Sequence, residues 1–254
     1  MMRFHEGAGP ARATDLLVTG FGPFPTVDHN ASGELAHAIA YACANTARST
    51  GEMPAAPLPT VKAATLATSW RTAPRGLERL IMRTQPNAVL AFGVSKRATG
   101  FVIETTARNI AAAEDIHGTE PMTDAVEADG RRTLSARLPA RRLVATLRAN
   151  DLPARRSIYA GAYLCNALLY KLLSASAPPN RGPAVVAFVH LPAALLEPKI
   201  GGLPCRLDWA EALRGGVLLA NEVIAIAHAR RGHGVDTETA HRSDRDAAQT
   251  TLQA

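Results

Sequence analysis

Short apolar runs alternate along this chain with stretches in which apolar residues recur every three or four positions. The first run, Asp15–Gly20 (DLLVTG), reads as a buried strand, and the segment FGPFPTVDHNAS after it reads as a loop marked by Pro, Gly, Asp and Asn. Ser32 is placed to cap a helix reaching about Ala44, with Leu35, Ile39 and Cys43 on one face. Pro54–Pro59 is a connector and Thr60–Ala64 a short strand. Leu66–Thr84 has helical periodicity, with Pro74 expected to break or kink it. Asn87–Gly93 (NAVLAFG) is a second buried strand, followed by the polar turn SKRATG.

Phe101–Ile110 (FVIETTARNI) reads as a strand that carries a carboxylate. Ala111–Pro139 is polar and rich in turn residues, and too long for a bare loop, so it is expected to hold some strand or to cover a site. A helix is predicted over Arg141–Ala149, a brief strand over Ser157–Tyr159, and a helix over Cys165–Ser174 with Leu168, Leu169, Leu172 and Leu173 inward. Ala184–His190 (AVVAFVH) is another buried strand. A long helix follows from Asp208 to about Arg230, with Asp208 and Glu211 spaced as a capping box. This alternation predicts an α/β sandwich on a mainly parallel, twisted sheet, in one domain over 14–230. Residues 1–13 are expected to be a flexible leader. Residues 231–254 have almost no apolar content and are expected to be disordered.

Composition narrows the picture. The 254 residues are 47% hydrophobic and 20% charged, enough to build a core. Asn221, Glu222 and His228 interrupt the one tempting apolar stretch, Val217–Ala229, so no membrane span is expected. The first residues lack the apolar core of a secretory signal, which makes the cytoplasm the expected location. Net charge is +6, but the paired arginines fall in four separate places with no interleaved aromatic residues, so no nucleic-acid partner is expected. Three cysteines are too few and too irregularly spaced for a disulfide framework or a zinc site.

Ligands of parallel sheets bind beyond the carboxyl ends of the strands, and three features fall there: the Phe21–Asn30 loop, Cys165 and His190. Cys165 opens a predicted helix, where the positive end of the helix dipole favours a thiolate; an inert core thiol is the alternative reading. Cys43 sits mid-helix on an apolar face and reads as core, and nothing near Cys205 in sequence would activate it. His190 steps out of an apolar strand, placed as a general base or as a satisfied histidine at the core rim. Glu104 interrupts a strand suited to burial and needs a partner, either an arginine or a histidine that it would orient. Pro23 removes an amide that a phosphate loop would use, so TGFGPF is not read as one.

TGFGPF with Asn30 and Ser32, FVIETTARN, AGAYLCN and AFVHLP, with TEPM and LSARLP between, resemble in this order the segments of pyroglutamyl peptidase type I over about residues 15–229. The resemblance implies a cysteine peptidase that removes an N-terminal pyroglutamyl residue from a peptide or small amide. It implies Cys165 as nucleophile, His190 as base and Glu104 as the group orienting it. Phe21, Phe24 and Asn30 match positions lining the pyroglutamyl pocket. It further implies a three-layer α/β/α sandwich, no metal or cofactor, and a homo-oligomer, dimer or tetramer. Three positions depart: Val94 where relatives carry Gln, Thr105 where they carry a basic residue, and Gly161-Ala162 for Gly-Thr. Val94 is therefore read as a substrate-pocket position that has lost a hydrogen-bonding side chain. A cysteine amidase for another small acyl group, and a non-catalytic binding protein on the same fold, are the competing readings.

Overall fold

Every position of Leu16–Phe21 (β1) and Val185–Pro192 (β8) is buried, so both faces of these strands are covered, as a central position in a sheet between two helix layers requires. The computed structural model describes residues 14–24, 27–49, 58–177, 182–198 and 202–251. With Val61–Leu66 (β2), Ala88–Ser95 (β3), Phe101–Glu104 (β4) and Ala154–Ser157 (β7), these strands form a six-stranded sheet in the order β2-β1-β3-β8-β4-β7. β2, β1, β3 and β8 run parallel, whereas β4 pairs antiparallel with β8 and parallel with β7.

Side-chain alternation divides the interior in two. Val185, Ala187, Val189 and Leu191 of β8 join Leu90 and Phe92 against Ala31–Ser49 (α1), Ala140–Arg148 (α3) and Trp209–Thr251 (α5). Val186 and Phe188 join Val89 and Ala91 against Ala73–Thr84 (α2) and Leu164–Ala175 (α4). The result is a three-layer α/β/α sandwich on a mainly parallel sheet.

Several elements differ in detail from the sequence reading. Pro74 stands in the first turn of α2, where its missing N–H has no intrahelical partner to lose, so it starts the helix instead of kinking it. FVIETTARNI is two strands: β4 ends at Glu104, and Thr106–Arg108 (β5) leaves the sheet to pair with Thr133–Ser135 (β6) in a separate two-stranded ribbon. Thr105 marks the break, where both its N–H and its Oγ1 donate to Ser157 O at 2.8 Å. β7 begins three residues before the expected Ser157.

Asp208 and Glu211 form the expected box: Glu211 N–H donates to Asp208 Oδ1 at 2.7 Å and Asp208 N–H to Glu211 Oε2 at 2.9 Å. By length and composition Trp209–Arg231 could cross a membrane. Ala212, Leu219, Ala220, Val223 and Ala227 are fully buried in the core, which accounts for that apolar character. Arg230 then donates to Ala184 O at 2.7 Å and to Arg137 O, fixing the helix to the sheet layer. The backbone of α5 continues to Thr251, where the sequence predicts disorder. Extending an existing helix needs no new nucleus, so a polar segment unable to make a core can still add turns to a packed stem. The expected leader, residues 1–13, lies outside the described residues.

Candidate active site

Strand register builds this site. His190 on β8 is opposite Gly93 of β3 on one side and Val102 of β4 on the other, and Val102 is opposite Arg155 of β7. Directly paired residues share a face, so Gly93, His190, Val102 and Arg155 form one row on the α4 side of the sheet. Glu104, two residues beyond Val102, lies on the same face and diagonal to His190. Its Oε1 is 2.9 Å from His190 Nδ1. A carboxylate can only accept, so Nδ1 carries the donated proton and Nε2 is left to face the thiol. Both groups are buried, Glu104 to 2% and His190 to 6% exposure. Phe188 meets the imidazole edge-on at 5.2 Å between centroids.

Cys165 descends onto this row from the helix layer that the row faces. It is the second residue of α4, and Tyr163 before the helix supplies no side-chain cap to the first-turn amides. Gly161, with φ of 88°, turns the chain into the helix in a conformation that L side chains rarely adopt. Asn166, fully buried, locks the helix start to β5: Arg108 N–H donates to its Oδ1, and its Nδ2 donates to Arg108 O and Ile110 O.

Gly93 supplies the space between the two layers. A Cβ there would lie 2.8 Å from Cys165 Sγ and 3.3 Å from His190 Cδ2. The sulfur thus occupies the volume that any other residue's side chain would fill. A glycine inside a strand is the sequence signal for such a close approach, and in NAVLAFG it reads only as the strand's end.

The electrostatics follow from this geometry. Burial alone would lower the His190 pKa. The charge and hydrogen bond of Cys165, and then those of Glu104, outweigh it and raise the value to about 9. Tyr163, at the cleft edge, is pushed up to about 12 by burial and by the Asp115 and Cys165 charges. Burial also raises the Cys43 thiol, while Cys205 Sγ donates to Leu207 O at 3.1 Å.

Cys165, His190, Glu104 and Val94 line one cleft of about 520 Å³. Val94 is paired with Leu191, and its side chain packs on the α5-side cluster, one strand position out of phase with Gly93. The other three residues assigned to the pocket are placed differently. Phe21 is buried at the end of β1 among Leu66, Leu77 and Val89, and half-buried Phe24 forms a backbone bridge with Val27. Asn30 is consumed by local structure: Nδ2 donates to Gly22 O at 2.9 Å, and Oδ1 accepts from Ser32 N–H and Ser32 Oγ. Asn30, and not Ser32, therefore caps α1; Ser32 Oγ instead accepts from Phe21 N–H at 3.0 Å.

The family model described as pyroglutamyl peptidase matches residues 14–201. The chain is 31% identical to the pyrrolidone-carboxylate peptidase of Bacillus subtilis over 182 residues, 70% of this chain and 77% of that protein. It is also 31% identical to that of Thermococcus litoralis over 180 residues, 70% and 76% of the two chains. The solved pyrrolidone carboxyl peptidase from Thermococcus litoralis superposes with a TM-score of 0.70 at 24% identity, covering 85% of this chain and 96% of that one. A mutant pyrrolidone carboxyl peptidase from Pyrococcus furiosus gives 0.71 at 22% identity, over 83% and 98%. These two structures share the fold. By the extent of the family match and the identity to the two relatives, the chain belongs to the pyroglutamyl peptidase family.

Proposed function

We propose that this protein is a cysteine peptidase that releases an N-terminal pyroglutamyl residue from peptides, with Cys165, His190 and Glu104 as its catalytic group. The observation that carries the reading is the convergence of three distant segments: Sγ in the space above Gly93, the His190 ring beside it, and Glu104 holding Nδ1. Family membership supplies the acyl group.

The Cys165 thiolate attacks the pyroglutamyl carbonyl carbon, and the carbonyl electron pair moves onto oxygen. First-turn amides of α4, which have no intrahelical acceptor, face that oxyanion. The intermediate collapses by breaking the C–N bond, and His190 Nε2–H protonates the departing amine. Water then adds to the thioester while His190 takes one of its protons, and pyroglutamate leaves with the thiolate restored. Glu104 holds the ring in one tautomer throughout. Positioned proton transfer of this kind is worth roughly 10²–10⁴ in rate.

Hydrolysis of a pyroglutamyl amide, with and without chelator, tests the reading. Turnover should be insensitive to chelation and abolished in Cys165→Ser. Brief iodoacetamide labelling at neutral pH should modify Cys165 before Cys43 or Cys205. Turnover that survives in Cys165→Ser, or first labelling at Cys205, would assign the chemistry elsewhere.

A further inference from the structure

The row of paired residues that contains His190 continues past it to a cation. Arg155 is two strands away, about 10 Å at ordinary sheet spacing, on the same face of the sheet. It lines the same cleft as Lys96 and Arg97, which come from the turn after β3, and its guanidinium donates to Arg97 O across the cleft. A smaller depression of about 280 Å³ adjoins at Val102 and Arg155 and adds Arg148 and Arg206 to its walls. None of these five cations forms an ion pair among the described residues. Among the described residues Glu104 is the only acid lining either space, and its Oε1 is committed to His190. At the rim, the Arg108 guanidinium lies 4.8 Å over the Tyr159 ring.

Arg155 stands to one side of the reacting atoms, and the turn that carries Lys96 and Arg97 crosses from β3 to β4 past β8 to meet it. β1, with Phe21 at its end, lies two strands from β8 in one direction, and β7 lies two strands away in the other. The acyl group implied by family membership is neutral and gains little from a field of five positive charges. The chain beyond the scissile bond advances about 3.5 Å per residue, so its first two residues bring a terminal or side-chain carboxylate within reach of Arg155 and Arg97.

We infer that the Arg155, Arg97 and Lys96 wall is a leaving-group subsite selecting peptides with a carboxylate on the first or second residue after the scissile bond. The substrate half of this inference rests on the pyroglutamyl peptidase reading; the field around Cys165 does not. Paired charges exposed at a cleft are worth up to about fivefold, and salt screens them.

Two matched substrate pairs separate the sources of the carboxylate. Pyroglutamyl-alanine against its amide probes the chain terminus, and pyroglutamyl-glutamyl amide against pyroglutamyl-glutaminyl amide probes a side chain. At low salt, kcat/KM of the acidic member should exceed its neutral partner by roughly fivefold in at least one pair. That ratio should fall toward one in the double variant Arg97→Gln, Arg155→Gln and in 0.5 M salt, where the Debye length is about 4 Å. Equal turnover within both pairs overturns the inference while leaving the peptidase reading intact. If no pyroglutamyl substrate is cleaved, the peptidase reading fails and the subsite is decided by alkylation. The rate ratio of iodoacetate to iodoacetamide at Cys165 should then drop roughly threefold in the double variant. An unchanged ratio overturns the inference.

Discussion

Glu104 and His190 meet diagonally across an antiparallel strand pair, with Oε1 2.9 Å from Nδ1, because Val102 and not Glu104 is the direct register partner of the histidine. The offset lets the carboxylate reach the near side of the ring and leaves the other nitrogen toward the sulfur. Glu104→Gln keeps the shape and loses the charge that stabilises an imidazolium. Its kcat should fall on the order of 10³-fold or more, by analogy with other carboxylate–histidine pairs, with the thermal midpoint little altered. Kinetics with a parallel melting curve check this; near-normal kcat would remove Glu104 from the catalytic group.

The proton on His190 sets the pH response. Its pKa is raised in the fold from the ordinary 6.5 to about 9 despite burial, with Cys165 the strongest raising influence. The folded state thus holds this proton more tightly than the unfolded chain. The resulting stability is fully present below about pH 6.5 and is lost as pH rises through about 9. Likewise kcat/KM should decline on an alkaline limb centred near pH 9, as the acid that protonates the leaving amine disappears. In Cys165→Ser the His190 titration, followed by NMR, should move to lower pH. A titration unmoved by that substitution would contradict the assigned cause.

Gly93→Ala places a methyl group 2.8 Å from Cys165 Sγ. The sulfur or the ring must shift, so kcat/KM should drop at least roughly tenfold, with a stability loss of about 1–3 kcal/mol from overpacking. Alkylation of Cys165 should slow in parallel. Full activity in Gly93→Ala would mean that the two layers yield more easily than close packing allows.

Register reverses the expectation for Val94. Its side chain packs with the Leu191 side of the sheet, so a glutamine there is directed away from the sulfur. Val94→Gln should therefore give no gain in kcat/KM for pyroglutamyl amides. A several-fold gain would show that the end of β3 turns toward the cleft when it carries an amide.

Truncation after Arg231 removes only the helical extension beyond the contacts of Arg230 with Ala184 and Arg137. We propose that this extension adds nothing to the stability of the domain. The melting temperature should change by less than about 2 °C, since changes away from packed contacts are worth about 0.5 kcal/mol or less. A larger fall in differential scanning calorimetry would place a packed surface on the removed turns.

The strands were legible wherever both faces are buried, because apolar runs such as AVVAFVH and DLLVTG need no partner to be recognised. The end of β4 was not: FVIETTARNI has continuous strand character, and the break at Thr105 is imposed by the end of β7 at Ser157. Pro74 was visible as a disruption, but whether it interrupts or starts a helix depends on where β2 ends. The Cys, His and Glu were visible as unusual residues at strand and helix ends. Gly93 was hidden because its significance lies in an atom that it lacks. Asn30 was assigned to the pocket from resemblance, whereas its hydrogen bonds hold Gly22 and the start of α1.

The sheet order has a consequence for biosynthesis. β8 lies between β3 and β4, although it is the last strand to leave the ribosome. Until it arrives, the six-stranded sheet can exist only as β2-β1-β3 and β4-β7, two fragments whose inner edges are unpaired. Long-range parallel pairing of this kind is slow and leaves apolar edges open to other chains. The insertion that closes those edges also delivers His190 to Glu104, so a chain stalled before Val185 holds Cys165 without its base.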